Sequence, residues 1–336
     1  MNRSTQRHAF ALEYVKTVGV HNNATMGRGF ASPVDLAVSG DGRIYVLNRG
    51  PYARAGVCNL DEDYLYEFGS LGDGDGQFTL ASAIALDSRG RVYVADEHHS
   101  HINVFEHSGE FIGRWGQSGS GKGQMDGPSG LVFDRDDRLF VADQNNNRVS
   151  VFTSRGAHIR SWGEPGDEDG QLNLPWGIAL DAAGHVYVAD WRNDRVQKFT
   201  ADGEFLASFG GPGGGDGRLH RPSSVAVDSD GYIHIGDWGN ERVQVLAPDG
   251  RFLLKLRGQA TESAWAREFL VANPDEKVER NRSVLYPQLP LHLDTPYLVS
   301  AQTEPYFWGP IVNLDADDRL YVTEMSRHRF QVYGRV

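Results

Sequence analysis

The stretch Leu174–Gly210, LPWGIALDAAGHVYVADWRNDRVQKFTADGEFLASFG, decides the fold. It holds four short runs in which apolar and polar residues alternate, separated by turn-formers, which is the pattern of a four-stranded antiparallel meander. The same pattern precedes it as Ala81–Gly116 and Pro128–Gly163 and follows it as Pro222–Gly258. Asp96, Asp143, Asp190 and Asp237 close the second strand of successive copies at a period of 47 residues. A period running across most of a 336-residue chain argues for one closed repeat array, so residues 1–336 are read as a single domain.

Working outward, residues 10–19, FALEYVKTVG, match the last strand of a copy: Glu13, Tyr14, Val15, Val18 and Gly19 align with Glu204, Phe205, Leu206, Phe209 and Gly210. At the other end, Asn313–Val336 supplies three strands and stops. A ring closed by the N-terminal strand fits both facts and removes an exposed sheet edge. Strand pairs resembling Ile178–Asp190 occur six times, at Val34–Asn48, Ile84–Asp96, Leu131–Asp143, Ile178–Asp190, Val225–Asp237 and Val312–Glu324. The expected architecture is therefore all-β, a six-bladed β-propeller of four-stranded antiparallel blades. Glycine-rich links separate the blades: GSLGDGDGQF, GQSGSGKGQM, GEPGDEDGQL and GGPGGGDGRL. They recur with the repeat and no helix follows them, so they are tight turns needing positive φ and not nucleotide loops. The Asp73 and Asp75 pair resembles a calcium loop only superficially.

The motif PxGIAxDxxGxVYVADxxNxRVQxF, followed by GxFxxxFG and a GxxGxGDGQF link, resembles the NHL repeat over nearly the whole chain. That resemblance implies a six-bladed β-propeller. It implies fold alone, because NHL propellers include lyases, RNA binders and protein-interaction modules.

The repeat breaks in two places. In blade 1 the second strand ends in YVLNRG, and GPYARAGV lengthens the following loop. Between blades 5 and 6 lies an insertion, residues 259–307, expected to be partly helical. Trp265, Phe269 and Leu270 fall at helical spacing, and Asn273-Pro274-Asp275-Glu276 reads as an N-cap, a first-turn proline and a capping-box glutamate. Pro287, Pro290, Pro296 and Pro305 predict an extended return. Its aromatic residues Trp265, Phe269, Tyr306 and Phe307 predict a lid laid over one mouth of the ring.

Composition narrows the function. With 33 basic and 45 acidic residues the net charge is -12, which repels phosphate backbones and disfavours nucleic acid as a partner. No run approaches the ~18 to 20 apolar residues of a membrane helix, and the first residues lack a signal-peptide core, so a cytoplasmic protein with no membrane contact is expected. Cys58 is the single cysteine, which precludes an intrachain disulfide.

The repeat geometry selects a face. In an antiparallel meander the loop between strands two and three and the link to the next blade share one end, here the near end. The far-end turns are monotonous (DSRG, DAAG, DSDG, ADGE), whereas the near-end positions differ in every blade. Around that mouth the candidate catalytic residues are Asp35, Arg49, Glu97, His98, Arg192 and Glu324. The candidate ligand-binding residues are Asn48, Gln144, Trp176, Trp191, Trp238 and Trp308. Tryptophans, arginines and a few carboxylates suit a ligand with an aromatic or apolar body and an anionic group. The recurring Asp143, Asp190 and Asp237, with Asn146, Asn193, Asn240 and Arg148, Arg195, Arg242, read as structural ties.

His98, His99 and His101 are candidate metal ligands, but one loop rarely offers three imidazoles to one ion. The segment PVDLAV is similar to PTDVAV of the peptidyl-hydroxyglycine amidating lyases, which hold zinc through histidines just after the opening proline position of alternate blades. The matching positions here carry Ser82, Trp176 and Pro310, so no metal is expected, and the residues leave the cofactor open. A GxSxG nucleophile motif is absent, and no histidine neighbours Cys58 in sequence. The sequence thus points to binding of a small organic ligand at the near mouth, with lyase or hydrolase action as its enzymatic form. The alternative is a non-enzymatic module that grips a protein partner with the same face.

Overall fold

In blades 2 to 5 the second strand ends on a buried aspartate, Asp96, Asp143, Asp190 or Asp237, that holds separate pieces of chain together. Asp190 accepts the Asn173 backbone N–H at 2.7 Å, the Arg195 Nε at 2.8 Å and the Asn193 and Gln197 side-chain amides at 2.9 and 3.0 Å. Asp143 and Asp237 repeat the pattern with Arg148 and Arg242, both at 2.7 Å. Burying such a carboxylate is tolerated because every lone pair finds a donor. The tie fixes the glycine-rich link, the second strand and the third strand of one blade. The recurring Asp, Asn and Arg are structural, as their recurrence indicates.

The computed structural model of the protein describes residues 10–21, 27–285 and 306–336. It contains six four-stranded antiparallel sheets arranged as blades. Their first strands, Pro33–Val38, Ala81–Leu86, Pro128–Phe133, Pro175–Leu180, Pro222–Val227 and Pro310–Leu314, line the axis. The sixth blade is completed by Leu12–Val18, which pairs antiparallel with Arg329–Arg335 through a bulge after Tyr14. Apolar clusters fill the space between neighbouring blades, for example Phe140, Val151, Leu172, Val188 and Phe199 between blades 3 and 4.

A second set of ties runs between blades. After the loop that follows each of the second strands of blades 2 to 6, one residue with positive φ accepts a backbone N–H from a positive-φ residue that precedes the next first strand. Asn147 accepts Leu174 N–H at 2.8 Å and Asp194 accepts Arg221 N–H at 2.6 Å. Glu241 accepts Gly309 N–H at 2.6 Å, Ser100 accepts Gly127 N–H at 3.4 Å and His328 Nδ1 accepts Ser32 N–H at 3.1 Å. The residue type varies because each position needs only an acceptor of the right reach. His328 must be neutral at Nδ1 to serve, and burial, with the adjacent His21, holds its pKa down at about 4.

The described part of the insertion is helical. Helix α1 (Ala264–Ala272) and helix α2 (Pro274–Arg282) are present, but Ser263 caps α1, accepting Ala266 N–H at 2.9 Å. Asn273 is the N-cap residue of α2 and Pro274 opens that helix, as expected, but the Asn273 side chain turns back to α1 and donates to the Phe269 carbonyl at 2.8 Å. Trp265 is 1% exposed and packs with Phe30 and Tyr64 in the cluster between blades 6 and 1, its Nε1 donating to the Glu62 carbonyl at 2.6 Å. Phe307 is likewise buried, between blades 5 and 6. These two aromatics therefore fill inter-blade cores and do not lie over the mouth; a large apolar ring gains more from a closed cavity than from a solvated rim. The four prolines of the predicted extended return, Pro287, Pro290, Pro296 and Pro305, lie outside the described residues.

Candidate functional site

The near mouth is built from the first residues of the axial strands and the short turns after the second strands. In blades 2, 3 and 5 the second residue of the axial strand is a serine whose hydroxyl donates to the first residue of the next blade: Ser82 to the Pro128 carbonyl, Ser129 to Pro175 and Ser223 to Pro310. Blade 4 has Trp176 at that position. The following Gly177 permits the close strand approach, since a Cβ there would stand 2.6 Å from the Ser224 Cα. Trp176 borders the axial throat and meets Trp191 edge-on, ring centroids 5.7 Å apart.

Trp191 opens the 3-10 turn Trp191–Asn193. The guanidinium carbons of Arg192 and Arg221 each lie 4.8 Å from its ring centroid. Neither guanidinium has a carboxylate partner among the described residues, and the Trp191 Nε1 is buried with no hydrogen-bond acceptor. Two cations against one indole, with no anion between them, favour a ligand that brings negative charge and a flat apolar surface. Arg221 was missed by sequence reasoning. Its signal was its place immediately before the opening proline of blade 5, where the repeats diverge.

The other candidates are distributed around the same rim. Arg49 and Glu97 meet in an ion pair of 2.9 Å between blades 1 and 2. His98 is exposed and packs edge-on against His99, which is held by Asp96 at 2.9 Å. Among the described residues no three metal-ligating side chains converge. Gln144 begins the turn Gln144–Asn146, Trp238 packs against Gly309, and Trp308 lies under Arg327 at 5.6 Å.

Two of the candidates are fully buried. Asn48 is fully buried, accepts the Ala31 N–H at 2.9 Å and donates to the Val46 and Arg54 carbonyls, so it occupies the structural place of the repeat aspartate. Glu324 is also fully buried and pairs with Arg329 at 2.7 Å, as Asp143 does with Arg148. Both close second strands.

Asp35 sits lower, in the throat. Its Oδ1 accepts Leu36 N–H at 2.9 Å and the Asn313 side-chain amide at 3.1 Å, and its Oδ2 accepts Ile84 N–H at 2.9 Å. Burial raises its pKa to about 7, against the pull of these three donors. The throat around it is narrow, about 60 Å³. A larger hollow, about 710 Å³, opens at the far mouth. There the turn carboxylates are already consumed: Asp181 accepts the Ala183 and His185 N–H groups and pairs with Lys198, and Asp134 pairs with Arg138. The near mouth holds the Arg192 and Arg221 guanidiniums, which have no carboxylate partner among the described residues.

Cys58, fully buried, has its thiol pushed up to about 12 by burial, so it is not a nucleophile at neutral pH. No helix among the described residues is long and apolar enough to cross a membrane.

Comparison with known proteins places this geometry. The family described as NHL repeat matches residues 125–152 and 172–199. The human NHL repeat-containing protein 3 is 33% identical over 87 residues, 25% of this chain and 25% of that protein. The chain thus matches only about a quarter of the length of this curated relative. Among solved structures, a streptogramin B lyase superposes with a TM-score of 0.58 at 11% identity, covering 97% of this chain and 98% of that one. An auxiliary nutrient binding protein from Bacteroides ovatus gives 0.61 at 12% identity, covering 98% and 77%. An enzyme and a binding protein on one scaffold at such identities share the fold alone.

Proposed function

This chain is a six-bladed β-propeller carrying NHL repeats, and on that premise we propose that its near mouth binds a small organic ligand that joins an anionic group to an aromatic or apolar body. The observation that carries the reading is the Arg192–Trp191–Arg221 cluster: two guanidiniums at 4.8 Å from one indole, neither paired with a carboxylate among the described residues. Trp176 extends the apolar surface toward the axis. A lyase or hydrolase step on such a ligand would draw its proton transfers from groups that remain at this rim, Glu97 beside Arg49 and the exposed His98.

The test uses 3-phenylpropionate as probe and 3-phenylpropionamide as its neutral counterpart, titrated by calorimetry. A hydrogen bond to a charged group contributes roughly 1.5–3 kcal/mol, about tenfold or more in affinity. The carboxylate should bind at least tenfold tighter than the amide. Arg192→Ala and Arg221→Ala should each remove that preference while leaving the melting temperature within a degree or two. Equal affinity for the two probes, or full affinity in both variants, would place the site elsewhere.

A further inference from the structure

The throat beneath Trp176 is more specific than a water-filled axis. Asp35 is its one charged side chain, and among the described residues no cation is paired with it. It bridges three blades, accepting from Leu36 of its own blade, Ile84 of blade 2 and Asn313 of blade 6. The Asn313 amide nitrogen donates to Asp35 at 3.1 Å, and its Oδ1 is buried with no donor. Ser224 Oγ, also at the throat, accepts Val312 N–H at 2.9 Å and keeps a lone pair. The result is a small pocket lined by acceptors: a carboxylate with three neutral donors and no cation, a hydroxyl oxygen with one donor and an amide oxygen with none.

We propose that this throat is a subsite for a primary ammonium group, so that the ligand of the near mouth is amphoteric: an ammonium descending past Trp176 to Asp35 and Asn313, and an anionic group held at Arg192 and Arg221. The inference rests on the near mouth being the ligand site. An ammonium is a compact cation with three N–H donors, and the throat offers three acceptors, the Asp35 carboxylate, Asn313 Oδ1 and Ser224 Oγ. The cavity of about 60 Å³ is on the order of two water volumes, which admits an aminomethyl terminus and excludes a ring. A calcium ion requires six to eight oxygens. Here the carbonyls of Pro128, Pro175 and Pro310 are occupied by Ser82, Ser129 and Ser223, and no second carboxylate lines the throat. Trp176 joins the two subsites, because it both borders the throat and contacts Trp191.

The experiment compares 2-phenylethylamine with its neutral counterpart 2-phenylethanol on the full chain. The amine should bind at least tenfold tighter, and Asp35→Asn should erase the difference while preserving the circular dichroism spectrum. Asn313→Leu, which keeps the volume and removes the orphan oxygen, should weaken the amine by a smaller factor and serves if Asp35→Asn fails to fold. Equal binding of amine and alcohol, or an amine preference untouched by both variants, overturns the inference. So does displacement of the amine by millimolar CaCl2 or KCl in a manner that depends on Asp35, which would make the throat a metal-ion site. The two readings fail separately: if 3-phenylpropionate still depends on Arg221 while the amine shows no preference, the mouth stands and the ammonium subsite falls.

Discussion

Trp176 shows how one side chain makes an asymmetric site from a symmetric ring. Serine at this position stitches a blade to the next; the tryptophan gives up that hydrogen bond, and blade 4 gains an apolar wall between throat and rim. Asp35, the third residue of the first strand of blade 1, is a second exception, the one charged side chain among the serines, Asn313 and aliphatic residues that line the throat. Its titration gives a pH signature. Its pKa in the folded protein, about 7, lies above the unfolded carboxylate value, so its contribution to stability is fully present below about pH 4 and lost as pH rises through 7. Asp35→Asn does not ionise. Its melting temperature relative to the parent should therefore be several degrees more favourable at pH 8 than at pH 5. A difference that is the same at both pH values would mean that Asp35 is not desolvated in this way.

At the scale of elements, the insertion behaves as a strap over the seam of the ring. Ser263 caps α1 and also donates to the Gly19 carbonyl at 2.6 Å, the Ala264 N–H donates to Glu62 at 2.6 Å, and Tyr14 donates to Thr261 at 2.7 Å. These bonds tie the helix to blade 1 and to the N-terminal strand at once. Trp265 supplies the apolar contact, and truncating a buried tryptophan costs about 3–5 kcal/mol. Trp265→Ala should lower the melting temperature markedly, by that amount in denaturant unfolding, while 3-phenylpropionate affinity in the folded fraction stays unchanged. Unchanged stability would mean that the helix rides on the ring without bracing it, and lost affinity would return it to the mouth as a lid.

The whole molecule depends on closure between its first and last strands. Leu12–Val18 covers the free edge of Arg329–Arg335, and the His328–Ser32 latch and the α1 strap cross the same seam. Removing residues 1–20 leaves Tyr333 and Val332 on an open edge, a template for intermolecular pairing. The truncated chain should melt at least ten degrees lower and elute from size exclusion as aggregate. A truncated protein that is monomeric and melts like the parent would show that the ring is held by inter-blade packing alone.

Repetition made most of this legible beforehand. Asp96, Asp143, Asp190 and Asp237 mark strand ends because a buried carboxylate must be surrounded by donors, and in each of these blades the backbone of the preceding link supplies one of them, so the period carried blade count, strand order and the closing strand. The divergent near face was legible for the same reason, as the place where the period fails. What sequence could not show is which divergent residues meet. Arg221 and Arg192 lie 29 positions apart and converge on Trp191 only because the link of one blade folds over the turn of the previous one. Asn48 and Glu324 looked variable, yet packing places them in the slot of the repeat aspartate, where burial and paired donors absorb them. Trp265 and Phe307 were apolar enough for a lid, and the choice between rim and core was decided by inter-blade space that exists only after the ring closes. Local pattern reports what each strand prefers; side-chain partnership across blades depends on distances set by closure, and those belong to the tertiary structure.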